Sequence, residues 1–158
     1  MNYTAEQKFE ALKNYLISEG AANQEELKNL TTENTYNDRY NTFEVAGDEY
    51  MVLTDEEANK AAKDEILNSL WAFNTNFILE HTEFYKTSCD REDKEFIKSL
   101  QDLQVRLCEG ANAIVGALII DIDGFISDAI DADGRGNFIS HYDGCENEQD
   151  GLYIYRMN

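Results

Sequence analysis

The sequence predicts an α+β fold in which several amphipathic helices pack on a small antiparallel sheet. Three observations point there. Apolar residues recur at helical spacing in several separate segments. Two β-prone runs flank Ala46-Gly47-Asp48, which predicts a hairpin over about 42–53, and a further β-prone run at about 152–156 supplies a strand to pair with it. The length of 158 residues suits one domain over 1–158, since a chain of about 150 residues buries roughly 70% of its unfolded surface.

Taken in order, Thr4 followed by Gln7 has the spacing of a capping box, and Phe9, Leu12, Leu16 and Ile17 give the helix behind it an apolar stripe. Gly20 can end it. A short helix is expected around Gln24 to Leu30, followed by a stretch rich in Asn and Thr that offers turns. The hairpin comes next, with Gly47 able to take the positive φ that a tight turn needs. Thr54-Asp55-Glu56-Glu57 is a second capping box, and Ala58, Ala62, Ile66 and Leu70 form a stripe that carries a helix to about Trp71. Its acids sit at the positive end of the helix dipole.

Another short helix falls within Asn74 to Lys86. Asp90 with Asp93 opens a longer one, along which Phe96, Leu100, Leu103 and Leu107 repeat at i, i+4, i+7 and i+11. Gly110 interrupts it, so that the chain either bends or makes a helical hairpin. On a wheel at about 100° per residue, Ile114, Val115, Leu118, Ile119, Ile122, Phe125, Ile126, Ala129 and Ile130 share one half, while Asp121, Asp123, Asp128 and Asp131 share the other. The first half is a core face. The chain then turns through DADGRGN and reaches the strand in GLYIYRMN.

Charge narrows the function. There are 32 Asp plus Glu against 13 Lys plus Arg, for a net charge of −19, with three Cys and no Pro. So acidic a chain repels nucleic acid and anionic membranes, and a positively charged partner is what remains. No apolar run approaches the ~20 residues that span a bilayer, so a cytosolic location is expected. Cys89, Cys108 and Cys145 are odd in number and lack a CxxC pair, which argues for reduced thiols. The sequence does not specify an oligomeric state.

The densest charge lies in 121–150, where Asp121, Asp123, Asp128, Asp131, Asp133, Asp143, Glu146, Glu148 and Asp150 face one base, Arg135, for a net −8. A solvated face is the plain reading. A calcium site is the second, but with Gly134 as the sixth residue of an EF-hand loop the twelfth is Ser140, where the loop needs Glu. A divalent site built otherwise from Asp128, Asp131, Asp133 and Asp143 stays open. The third is mimicry of a polyanion: duplex DNA carries about one charge per 1.7 Å, so nineteen charges match roughly 32 Å of duplex.

Catalysis finds little support. His81 and His141 stand in no triad or HExxH spacing, and no Gly-rich phosphate loop or GxSxG occurs. Cys89, Cys108, His141 and Cys145 lack the spacing of a zinc finger. Tyr142, Tyr153 and Tyr155 read as sheet and core aromatics, a type also enriched at interfaces.

Leu53-Thr54-Asp55-Glu56-Glu57-Ala58, Leu70-Trp71-Ala72-Phe73, Asp133-Gly134-Arg135-Gly136, Tyr142-Asp143-Gly144 with Glu146 and Glu148, and Tyr153-Ile154-Tyr155-Arg156 form a set of motifs. Together they resemble a group of small acidic proteins of phages, prophages and plasmids, mostly without assigned function. The resemblance covers about two thirds of the chain, from residue 50 onward. It implies origin on a mobile element, where small acidic proteins often inhibit host defence, as anti-restriction and anti-CRISPR proteins do. Within that pattern Asp133-Gly134-Arg135-Gly136 implies a turn, with Arg135 folded back onto nearby acids as a structural ion pair.

The expectation is therefore a non-enzymatic inhibitor without a cofactor. It would bind a basic nucleic-acid-binding host protein, such as a CRISPR effector or restriction enzyme, through the nine acids of 121–150. A calcium- or magnesium-binding regulatory domain and a phage housekeeping protein whose charge secures solubility are the alternatives.

Overall fold

The sheet is assembled from five antiparallel strands: β1 (Tyr36–Asn37), β2 (Thr42–Val45), β3 (Asp48–Leu53), β4 (Asn147–Gln149) and β5 (Leu152–Arg156). Their order is β1-β2-β3-β5-β4. The computed structural model describes residues 3–37, 41–84 and 94–158. Ala46 and Gly47 form the β2–β3 turn with φ of 56° and 90°, the positive values that match a two-residue turn to the strand twist. Asp150 and Gly151 repeat this between β4 and β5, with φ of 55° and 75°. The predicted hairpin and its pairing with the 152–156 strand are both present, Val52 lying opposite Ile154. The α+β class with its antiparallel sheet holds.

By its contacts the chain divides into two compact units, Met1–Ala62 with Asp133–Asn158, and Lys63–Ala132. In the first unit α1 (Ala5–Ser18) begins at the Thr4–Gln7 capping box, in which both reciprocal bonds form. Its Phe9, Ala11, Leu12 and Leu16 pack with Phe43, Val45, Tyr50, Val52, Leu152 and Ile154 from one face of the sheet. Phe9 and Phe43 stack at 5.4 Å. Alternation along the strands explains why these positions share a side. Two single turns follow α1, α2 (Gln24–Leu27) and α3 (Thr32–Thr35). The first is shorter than the segment to Leu30 that the sequence suggests, since at Lys28 and Leu30 the backbone bonds tighten to the carbonyls three residues back.

Helix α4 (Asp55–Asn68) starts at the Thr54–Glu57 box as expected. Ala58, Ala62 and Ile66 are wholly buried and Leu70 nearly so. The α-helix stops at Asn68, and a 3-10 turn, Leu70–Ala72, carries the chain through Trp71. Glu57 has a second role, holding the ammonium of the buried Lys8 at 2.7 Å.

The second unit continues with α5 (Thr75–Glu80), α6 (Lys94–Leu107), the 3-10 turn Cys108–Ala111, α7 (Asn112–Leu118) and α8 (Ile122–Asp133), whose last residue falls in the first unit. The predicted start of α6 at Asp90 and Asp93, the end of the Asn74–Lys86 segment and Cys89 lie outside the described residues. Two expectations change here. The break expected at Gly110 comes earlier, at Cys108, which takes a φ of 48°. The apolar run from Ile114 to Ile130 is two helices, because Ile119 is extended, bridges to Thr82, and is followed by an Ile120 N–H bond to the His81 carbonyl. The wheel therefore loses its phase at 119–121, and Ile114 and Ile120 are exposed.

After α8, Gly134 at φ 79° ends the helix and α9 (Arg135–Ile139) begins at once. The predicted DADGRGN turn is thus one residue wide. No helix among the described residues is long and apolar enough to cross a membrane.

Candidate functional site

Helix α8 presents its carboxylates because its opposite face is fixed. Phe125, Ile126 and Ala129 are buried, and Phe125 stands edge-on to Phe73, Phe77 and the His81 ring at 4.9–5.0 Å. Aromatic contacts of this geometry hold a helix in one rotation. Asp121, Asp123, Asp128 and Asp131 are all exposed. Asp121 lies just before the helix and accepts the Gly124 N–H at 3.0 Å, so it is a cap. Asp123 pairs with Lys63 at 2.7 Å, and Asp128 meets His81 Nε2 at 3.0 Å. Asp131 has no hydrogen bond or ion pair among the described residues.

The other five predicted acids belong to the unit that holds the sheet. Asp133 and Glu148 are exposed there without a hydrogen bond or ion pair among the described residues. Glu146, in contrast, is engaged three times. Arg135 grips it with Nε and Nη2 at 2.9 Å each, and the Tyr155 hydroxyl donates to the same carboxylate. Arg135 also reaches Asp55 at 2.6 Å and Asn59 at 2.9 Å, and lies 4.4 Å over the Tyr153 ring. Burial alone would lower the proton affinity of this guanidinium, but the bonds to Glu146 and Asp55 hold it above its ordinary value. Tyr155 is fully buried, and burial, with Glu146 beside it, raises its hydroxyl well above the usual phenol.

Asp143 accepts from the Cys145 N–H at 2.9 Å and from the Ser140 hydroxyl at 2.8 Å. The Cys145 amide first, then Ser140, keeps its carboxyl below the usual range. Asp150 sits in the β4–β5 turn and accepts from Asn14 at 3.1 Å. Asp143, Glu146 and Asp150 therefore hold loops together. Asp123, Asp128, Asp131, Asp133 and Glu148 present their charge outward.

Nothing in the acidic segment gathers as a metal site: among the described residues no group of three or more His, Cys, Asp or Glu side chains is placed to hold an ion. His141 borders a cleft of about 610 Å³ on the sheet with Thr42, Glu44, Glu49 and Met51, where Glu44 lies directly opposite Glu49 in the β2–β3 register.

The resemblance implies Arg135 as a structural ion pair, but its partners Asp55 and Asn59 lie roughly eighty residues away, where no local pattern points to them. Strand β4 lies outside the elements expected from the sequence, although Asp150-Gly151 before a β-prone run is a strong hairpin signal. His81 carried no local signal at all. No family model, no curated protein and no solved structure matches this chain.

Proposed function

We propose that this protein is a non-catalytic inhibitor, carried by a mobile element, that occupies a basic nucleic-acid-binding surface of a host defence protein such as a CRISPR effector or restriction enzyme. The observation that supports it most is α8 itself, a helix anchored by Phe125, Ile126 and Ala129 that displays Asp123, Asp128 and Asp131 on its exposed side. Asp128 and Asp131, three residues apart on the helix, have the spacing of about 5–6 Å that is close to that of phosphates, and side chains on a helix held by a core lose little entropy on docking. The net charge of −19 adds long-range attraction to a basic cleft and a fast, salt-sensitive association.

The test adds the purified protein to DNA-cleavage reactions of a panel of CRISPR effectors and restriction enzymes at low and high salt. The expected result is inhibition of one class, relieved by salt and by excess DNA. Asp123→Asn, Asp128→Asn and Asp131→Asn together should abolish it while leaving the fold intact; Asp121 is best spared, since it caps α8. Inhibition that survives the triple replacement would remove α8 from the interface, and an absence of inhibition across the panel would remove the reading.

A further inference from the structure

Both ring nitrogens of His81 face oxygens that can only accept. Nδ1 lies 2.9 Å from the Phe77 carbonyl oxygen, and Nε2 lies 3.0 Å from Asp128 Oδ2. A neutral imidazole has a single N–H. It would satisfy one oxygen and turn a lone pair toward the other, whereas the imidazolium donates to both. The ring is held where it is: the His81 side chain is only 13% exposed, its ring packs against Phe77 at 4.9 Å and Phe125 at 5.0 Å, and its own carbonyl accepts the Ile120 N–H at 3.0 Å. His81 is also the C-terminal cap of α5, where unpaired carbonyls favour a cation.

We propose that His81 is a proton-dependent clamp on the acidic face: as the imidazolium it ties α8 to the end of α5 and neutralises Asp128, and on losing its proton it keeps only one of its two bonds and leaves the charge of Asp128 unbalanced for a basic partner. The gating half rests on the docking role given to α8 above; the clamp half does not. The charged groups on the surrounding elements agree with it. Asp128 on α8 touches the ring, Asp121 lies in the segment that bonds the His81 carbonyl, and Glu80 and Glu83 flank His81 in the chain. All are acids. Lys63, the base that reaches α8, is engaged by Asp123. Asp128 then serves as a charge whose availability follows pH, unlike Asp131 on the same helix.

The clamp is read on the free protein by titrating the imidazole nitrogens of the ¹⁵N-labelled full chain by NMR. With two histidines present, His81→Gln assigns the signals. In its protonated form the His81 ring should carry a proton on both nitrogens, and Asp128→Asn should change the pH response of the His81 nitrogens and leave that of His141 unchanged. A His81 ring that stays a single neutral tautomer down to pH 5, or that titrates identically in Asp128→Asn, overturns the clamp. Gating is read separately, with a poly-lysine peptide as the cationic probe at pH 6 and pH 8. Affinity of the wild type should rise about two- to threefold at pH 8, the increment of one exposed ion pair, and that of Asp128→Asn should not. A wild-type affinity that ignores pH, with the ring titration intact, overturns gating. Loss of docking itself would show instead as an Asp131→Asn variant that binds poly-lysine unchanged, a result to which the ring titration is indifferent.

Discussion

Arg135 and Glu146 meet through two parallel hydrogen bonds, Nε to Oε2 and Nη2 to Oε1, each 2.9 Å long. The fork geometry matters because Lys cannot reproduce it. Arg135→Ala strands Glu146 beside the buried Tyr155 hydroxyl and frees Asp55 at the start of α4. A loss of about 1–3 kcal/mol is expected in urea unfolding, the range for leaving a hydrogen-bonded charged group without its partner. Arg135→Lys should recover less than half of it.

Alkaline pH should find Tyr155. Its phenol is raised by burial and by Glu146, so the unfolded chain loses this proton near the ordinary tyrosine range while the folded chain keeps it. The stability it contributes is thus complete below about pH 10 and falls as pH rises beyond it. Tyrosine absorbance at 295 nm during a pH titration should show this hydroxyl ionising only with unfolding, and Tyr155→Phe should flatten the decline. Asp143 works in the opposite sense. Its lowered carboxyl contributes stability above the ordinary carboxylate range that is lost as pH falls through its folded value, so Asp143→Asn should be less stable at pH 7 and less sensitive to acid. Denaturant midpoints at pH 7 and pH 3 decide it.

Glycine positions should differ sharply. A Cβ at Gly136 would sit against the Gly144 carbonyl oxygen and 2.7 Å from the Cys145 carbonyl carbon, both backbone. Gly136→Ala should cost about 3 kcal/mol or more, with loss of the ordered 140–146 loop. At Gly124 the Cβ meets the end of the Asp121 side chain, which can swing aside. There the gain in helix propensity of about 1 kcal/mol should offset the weakened cap, and thermal melting should move little.

Inside the Lys63–Ala132 unit the most consequential polar group is Gln104. Its amide donates to the Trp71 and Phe73 carbonyls at 2.8 and 2.9 Å and accepts from the Thr75 hydroxyl at 2.7 Å. Gln104→Leu keeps the volume and leaves the buried Thr75 hydroxyl and two half-buried carbonyls without it. A loss of about 2–3 kcal/mol is expected by differential scanning calorimetry, with amide exchange rising around 71–75.

Glu44 and Glu49 lie directly across from each other on β2 and β3, an arrangement that like charges disfavour. Glu44→Lys should stabilise the fold by about 0.5 kcal/mol at low ionic strength. The gain should shrink in high salt; a gain unchanged by salt would assign it to something other than charge.

The parts of this fold that were legible in sequence are those with short-range causes. Thr4 with Gln7 and Thr54 with Glu57 cap where their spacing says, and Ala46-Gly47 turns where its φ freedom allows. Ala58, Ala62, Ile66 and Leu70 are buried because spacing four aligns them. Apart from β4, whose Asp150-Gly151 turn is a local signal, the failures have long-range causes. Ile119 leaves the helix to bridge Thr82, which no wheel can foresee. Among the nine acids the sequence weighted alike, Glu146 faces Arg135 and Asp131 faces solvent, a difference set by tertiary contacts. His81 joined Asp128 for the same reason.

The pairing of β3 with β5 sets the order in which this chain can mature. Roughly a hundred residues separate Leu53 from its register partner Tyr153, and closing a loop of that length costs about 4 kcal/mol of chain entropy before a single strand bond compensates. During synthesis β1, β2 and β3 leave the ribosome behind α1 as a partial sheet that still lacks the central strand β5. The Lys63–Ala132 segment emerges complete while β3 still waits for β5. Early helix formation followed by slow acquisition of the sheet is the kinetic signature this topology writes.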